Sequence, residues 1–172
     1  MATSLRPSPT AVPAPATGVI LAIDYGQKRL GLALSDELRL ASRPYATWTR
    51  TNRRRDLARL RELVRQQGVS RIVVGLPLHL DGTPSEMSGE AKRFAARVEK
   101  ALGLPVEMVD ERLSSWEAHE TMAAVRAGKR STRRSADEPA GTNQQPPLDK
   151  IAAAIILRDY LAQAQSRDGS RD

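Results

Sequence analysis

Three sets of carboxylates stand where the chain could use them for chemistry. Asp24 closes the apolar run 19–23, Asp110 and Glu111 close the run 105–109, and Asp149 lies near the start of the apolar segment 148–162. Carboxylates converging at strand ends suit Mg²⁺ or Mn²⁺, hard ions that take a few acidic oxygens and keep water and phosphate as further ligands. Two such ions about 4 Å apart can activate a water and stabilise the leaving oxygen in phosphodiester cleavage. Each acid also has a plainer reading. Asp24 could cap the turn that follows it, and Asp149 could be a first-turn acid favoured by the helix dipole. Asp110 and Glu111 are strand neighbours and point to opposite faces, so at most one shares the side of Asp24, and spacing alone leaves open which. Their joint placement is what argues for a metal site.

Composition narrows the alternatives. With no cysteine, disulfides, zinc–thiolate sites and thiol nucleophiles are all excluded. The two histidines, His79 and His119, are too few for a histidine-rich metal cluster, which leaves oxygen ligands. Lys+Arg 27 against Asp+Glu 20 gives a net charge of +7, which favours a polyanionic partner, nucleic acid first. Aromatic residues make up only 3%, too few to stack many bases, so backbone and shape recognition is the expected mode. No apolar run approaches the roughly 18 residues of a membrane span, and the Ala-, Pro- and Ser-rich first 18 residues lack the apolar core of a secretory signal. A cytoplasmic protein without membrane association is expected.

The elements that must position the acids follow from periodicity. Residues 19–23 and 30–34 read as an antiparallel hairpin, with the turn 26–29 placing Lys28 and Arg29 at its tip. A third strand is expected over 38–48, with Pro44 marking a bulge or an edge. Residues 51–67 read as a helix that Gly68 stops, with Leu57, Leu60, Leu63 and Val64 on one face. Its Arg53, Arg54, Arg55, Arg59, Arg61 and Arg65 form a run of the kind that is more often a solvated face than a binding site. A buried strand follows at 71–77, then a capping box at Thr83–Glu86 opening a helix with its apolar stripe at Met87, Ala91, Phe94, Ala95, Val98, Ala101 and Leu102. A strand at 105–109 and a second capped helix at 114–126 come next. The long basic loop 129–147 and the apolar helix 148–162 complete the chain. Strand and helix alternating in this order argue for an α/β sheet. One domain is expected over 19–162, between a disordered tail at 1–18 and a short tail at 163–172.

Four motifs in this order resemble the YqgF family: Ile23-Asp24-Tyr25-Gly26 with Lys28-Arg29-Leu30-Gly31, Val74-Gly75-Leu76-Pro77 with Asp81-Gly82-Thr83, Asp110-Glu111-Arg112-Leu113-Ser114, and Leu148-Asp149-Lys150-Ile151-Ala152-Ala153. The resemblance implies a ribonuclease H-like fold, a mixed five-stranded sheet flanked by helices, similar to the RuvC resolvases. It further implies a Mg²⁺- or Mn²⁺-dependent endonuclease acting in 5′-end processing of precursor small-subunit ribosomal RNA, with branched DNA such as Holliday junctions as a further substrate. Carried over by position, the catalytic, metal-binding acids are Asp24, Glu111 and Asp149, with Asp110 as second choice. Lys28, Arg29 and Arg112 adjoin the acids. Together with the loop cations Arg130, Arg133 and Arg134 they are expected to contact the nucleic-acid backbone, and the oligomeric state is open between monomer and homodimer. The pattern departs from RuvC in two places. The 71–77 strand ends without an acid, and Ala152 stands where a second helix acid could fall. Two other classes compete: a non-catalytic RNA-binding assembly factor, and an actin-like ATPase, whose phosphate hairpin the 24–31 element also resembles. The latter needs a second domain that this length does not hold.

Overall fold

The apolar runs on either side of Gly26 pair as β1 (Val19–Tyr25) and β2 (Arg29–Ser35) in a computed structural model that describes residues 17–79, 81–110 and 148–168. The chain continues through β3 (Ser42–Thr49), α1 (Arg53–Gln67), β4 (Val69–Leu76), α2 (Glu86–Leu102) and β5 (Val106–Asp110), and α3 (Leu148–Asp168) follows residues 111–147. The sheet order is β3-β2-β1-β4-β5. β1 is antiparallel to β2 and parallel to β4, and β4 is parallel to β5, so the sheet is mixed as expected. β1 sits at its centre, and Ile20 to Ile23 are buried, which is why the run is apolar without alternation.

Side-chain parity divides the sheet into two unlike faces. Leu21, Ile23 and Tyr25 with Leu30, Leu32 and Leu34 form the large-residue face, covered by α1 through Leu60 and Leu63 and by α2 through Ala91, Phe94, Ala95 and Val98. Ile20, Ala22, Ala33 and Val73 form the other, covered by Ala153, Ala154, Ile156, Leu157 and Leu161 of α3. α3 lies across β1, β2 and β3, and the Ser42 hydroxyl donates to the Ala154 carbonyl at 3.0 Å. Further along, Arg71 of β4 donates to both Glu107 of β5 and the Tyr160 hydroxyl of α3, pinning the helix at the end remote from Asp24.

Several local expectations shift. Residues 38–41 turn instead of extending β3. The Asp36 carboxylate accepts the Leu40 and Ala41 N–H groups at 2.8 and 2.7 Å, and Arg39 takes a positive φ of 58°. Pro44 does mark a bulge, where the β2–β3 register slips, on a strand at the sheet edge. The cap of α2 is Ser85, not Thr83. Ser85 and Ser88 satisfy each other's backbone N–H groups, while Thr83 bonds to Asp81 and Pro84 bridges to Leu78. α1 begins at the Asn52 cap, and Gly68 and Gly103 end α1 and α2 in the left-handed conformation that glycine adopts most easily. α3 continues to Asp168, six residues past the expected 162, so the tail expected at 163–172 begins as helix. The tail expected over 1–18, except its last two residues, the helix at 114–126 and the loop at 129–147 lie outside the described residues.

Candidate metal and nucleic-acid site

The C-terminal ends of β1, β4 and β5 share one edge of the sheet with the tip of the β1–β2 hairpin, and the N-termini of α1, α2 and α3 open there. In open α/β sheets ligands gather at this edge, and helix N-termini favour anions there. Asp24 is next to last in β1. Its register partner is Gly31 of β2, and antiparallel partners share a face, so Asp24, like Ala22, belongs to the face that α3 covers.

Gly31 decides how close α3 can come. A Cβ at this position would collide with the carbonyl group of Asp149. The first turn of the helix therefore rests on bare backbone directly across the ladder from Asp24. Any larger residue at Gly31 would lift the helix off the sheet and carry Asp149 away. The helix is permitted to approach by its own Ala153 and Ala154 and by Ala22 and Ala33 beneath it, all small and buried.

The Asp149 side chain is one-third exposed, yet its Oδ2 is buried and has no hydrogen bond among the described residues. Arg29 Nη1 stands 3.5 Å away, an ion pair too long and misdirected to count as a hydrogen bond. A buried carboxylate oxygen without a donor is costly unless a cation meets it, and Arg29 meets this one only through that long ion pair. With Asp24 on the same face, these residues fit a hard cation with oxygen ligands. Among the described residues no group of three acids, histidines or cysteines converges.

The remaining expected site residues divide as follows. Lys28 and Arg29 are exposed at the hairpin tip beside the acids. Asp110 pairs with Leu76, and its alternate neighbour Met108 packs in the large-residue core, whereas Val109 packs with the α3 core. Asp110 thus faces away from Asp24 and Asp149. Glu111, Arg112, Arg130, Arg133 and Arg134 lie outside the described residues. Sequence reasoning missed the part played by Gly31. The signal was present as small residues alternating with large ones, Gly31 and Ala33 between Leu30, Leu32 and Leu34.

A mixed five-stranded sheet in this order, flanked by helices on both faces, is a ribonuclease H-like fold of the kind resolvases have. Two solved structures share the fold: Thermus thermophilus RuvC (TM-score 0.52, 17% identity, 86% of this chain and 96% of that one) and T. thermophilus RuvC in complex with a Holliday junction substrate (TM-score 0.51, 18% identity, the same coverage). Residues 18–163 match the family model described as RuvX: Holliday junction resolvase, and the chain belongs to that family. Curated relatives bear the name "Putative pre-16S rRNA nuclease". That of Anaeromyxobacter dehalogenans (strain 2CP-C) is 40% identical over 141 residues, 82% of this chain and 94% of the relative. That of Koribacter versatilis is 38% identical over 149 residues, 87% and 90% respectively. The resemblance drawn from the four motifs is borne out. Among the described residues no helix is long and apolar enough to cross a membrane.

Proposed function

We propose that the chain is a divalent-metal-dependent endonuclease that processes the 5′ end of precursor small-subunit ribosomal RNA in the cytoplasm, with Mg²⁺ or Mn²⁺ held by Asp24, Asp149 and Glu111. The observation that carries this reading is the seating of Asp149 on Gly31, across the ladder from Asp24, with a buried carboxylate oxygen left without a hydrogen bond. The relatives' name supports RNA as substrate, and the family description supports branched DNA as a second one. Glu111 is favoured as third ligand because Asp110, its neighbour, belongs to the opposite face. When bound, the ion would lower the pKa of a coordinated water and offset charge on the leaving oxygen.

The protein's own part is positioning. β1 and α3 fix two carboxylates on one face. Lys28 and Arg29 at the hairpin tip would hold phosphates next to them, with Arg29 exchanging Asp149 for a phosphate oxygen as substrate arrives. Arg112, Arg130, Arg133 and Arg134 would add backbone contacts from the 111–147 segment.

The test is to incubate the purified chain with a 5′-extended ribosomal RNA precursor and with a four-way DNA junction, side by side, in Mg²⁺, Mn²⁺ or EDTA. Cleavage at the precursor 5′ end that requires the metal is expected. Binding without cleavage of either substrate would overturn the nuclease reading and leave an RNA-binding assembly factor.

A further inference from the structure

The arginines of α1 and its approach divide by what they touch. Arg65 pairs with Glu62, Arg61 donates to the Ala101 carbonyl, and Arg59 lies over the Trp48 ring at 4.2 Å. Arg50 is consumed by the fold as well. Its guanidinium donates to the Gly26 carbonyl at 2.9 Å, pairs with Asp56 at 3.4 Å and lies over the rings of Tyr25 and Phe94 at 4.8 and 5.9 Å. Arg53, Arg54, Arg55 and Arg97 have no acidic partner among the described residues.

The placement of the first three is electrostatically adverse for an isolated fold. Arg53, Arg54 and Arg55 fill the first turn of α1, the end of a helix where cations are disfavoured and anions stabilised. The one acid of that turn, Asp56, is buried and already paired with Arg50. Consecutive helix positions project in different directions, and of the three it is Arg53 that lines the space beside the hairpin, where a bound anion would offset the adverse charge.

There is room for one. A cavity of about 340 Å³ opens between the hairpin and the start of α1, lined by Gln27, Arg50, Asn52 and Arg53, with Asp56 paired to Arg50 and Glu90 held by Tyr25 and Gln27. A second, of about 230 Å³, adjoins it through the shared Arg50, Arg53 and Asp56 and reaches Phe94 and Arg97. The groove lies on the large-residue side of the sheet, yet it opens at the same edge as Asp24, because the Arg50 N–H bonds the Lys28 carbonyl at 2.9 Å and ties the entry of α1 to the hairpin tip. A polyanionic strand leaving the acids crosses Lys28 and Arg29 and meets Arg53 next.

We propose that this groove is a phosphodiester-binding subsite, in which Arg53 and Arg97 hold the backbone of the substrate strand on the far side of the hairpin from the cleaved bond. The subsite rests on the nuclease reading for its substrate, but its test does not depend on cleavage. Binding of fluorescent single-stranded RNA of graded length is measured by anisotropy in EDTA, where no hydrolysis occurs and the acids contribute no metal-bridged affinity. The wild type is compared with Arg53→Ala/Arg97→Ala, with the conservative Arg53→Lys/Arg97→Lys, and with Arg65→Ala as a control for generic charge loss.

The wild-type affinity is expected to rise with length until the strand spans from the hairpin tip to the groove. In the double alanine variant the rise stops earlier, and the slope of log affinity against log salt falls by about 0.7 for each phosphate that is no longer neutralised. The lysine pair restores most of the slope, and Arg65→Ala leaves both slope and length dependence unchanged. An unaltered length dependence and salt slope in the double alanine variant overturns the subsite. An equal loss in Arg65→Ala overturns it too, since the effect would then belong to net charge. If RNA binds the groove as described while the metal-supplemented protein cuts nothing, the subsite stands and the nuclease reading fails.

Discussion

The two faces of the sheet solve different problems. On the side of α1 and α2, Leu21, Ile23, Leu30, Leu32 and Leu34 interlock with Leu60, Phe94 and Val98, large side chains each worth about 1.5–3 kcal/mol of burial. On the side of α3 the sheet offers Ala22, Gly31 and Ala33, and the helix answers with Ala153 and Ala154. That face gives up apolar area, and what it gains is proximity. Helix backbone can rest on strand backbone, and Asp149 arrives opposite Asp24. Bulk stabilises the molecule on one side, and its absence lets the helix approach the sheet on the other.

The contrast is sharpest in neighbouring residues of β2. Gly31→Val should abolish cleavage, with a loss of at least about 100-fold from displacing Asp149 by an ångström or so, and cost about 1–3 kcal/mol through the clash with α3. Leu32→Ala should cost more stability, about 2–5 kcal/mol, yet leave the cleavage rate of the folded protein within a few-fold of wild type. Thermal unfolding and cleavage measured on both variants check this. A stable, active Gly31→Val protein would break the distinction between the faces.

Arg71 tests whether α3 is held from its far end as well. Its replacement by alanine strands Glu107 and the Tyr160 hydroxyl in a half-buried setting and should cost about 2 kcal/mol. Cleavage at temperatures where the variant is folded should persist, because the Asp149 end is seated separately on Gly31. A much larger loss of activity than of stability would show that the whole length of α3 sets the site.

The smallest effect concerns the turn after β2. The N–H of Ala41, aided by that of Leu40, holds the Asp36 carboxyl below the usual carboxylate range. A depressed folded pKa contributes stability above the unfolded value, about 3.9, and loses it as pH falls through the lower folded value. The wild type should therefore unfold at a slightly higher temperature than Asp36→Asn at neutral pH, and the gap should close in acid. A gap independent of pH would assign the effect to the side-chain shape alone.

Much of this was legible in the chain. The apolar runs flanking Gly26 gave a hairpin because both faces of the central strand are covered. Gly68 ended its helix as expected, since few other residues take a left-handed cap at so little cost. Asp24 and Asp149 were recognisable as acids at element ends. The seating of residue 149 on residue 31, across the ladder from Asp24, was not, because no local spacing encodes it. The true cap of α2 was hidden because Thr83, with Glu86 three residues on, matches the capping-box signature, whereas Ser85 has Ser88 in the place of the acid. The Pro84–Leu78 bridge and the bonds of Ser85 and Ser88 to the Pro77 carbonyl favour the later one. The roles of the α1 arginines were hidden for a similar reason. Their run reads as a solvated face, but tertiary partners, Trp48 and the Ala101 carbonyl, separate Arg59 and Arg61 from Arg53.

Whether the α3 side of the sheet is the metal side can be measured directly by titrating Mn²⁺ into the wild type, Asp24→Asn and Asp110→Asn and following bound ion by electron paramagnetic resonance. Each substitution removes one charge with almost no change of shape, and the two positions differ in the face they occupy. Asp24→Asn should lose the tightly bound Mn²⁺, together with all metal-dependent cleavage, while its circular dichroism and unfolding temperature stay close to wild type. Asp110→Asn should keep both bound ion and cleavage. An Asp24→Asn protein that binds Mn²⁺ like wild type, beside an Asp110→Asn protein that does not, would contradict the assignment and move the metal to the opposite face.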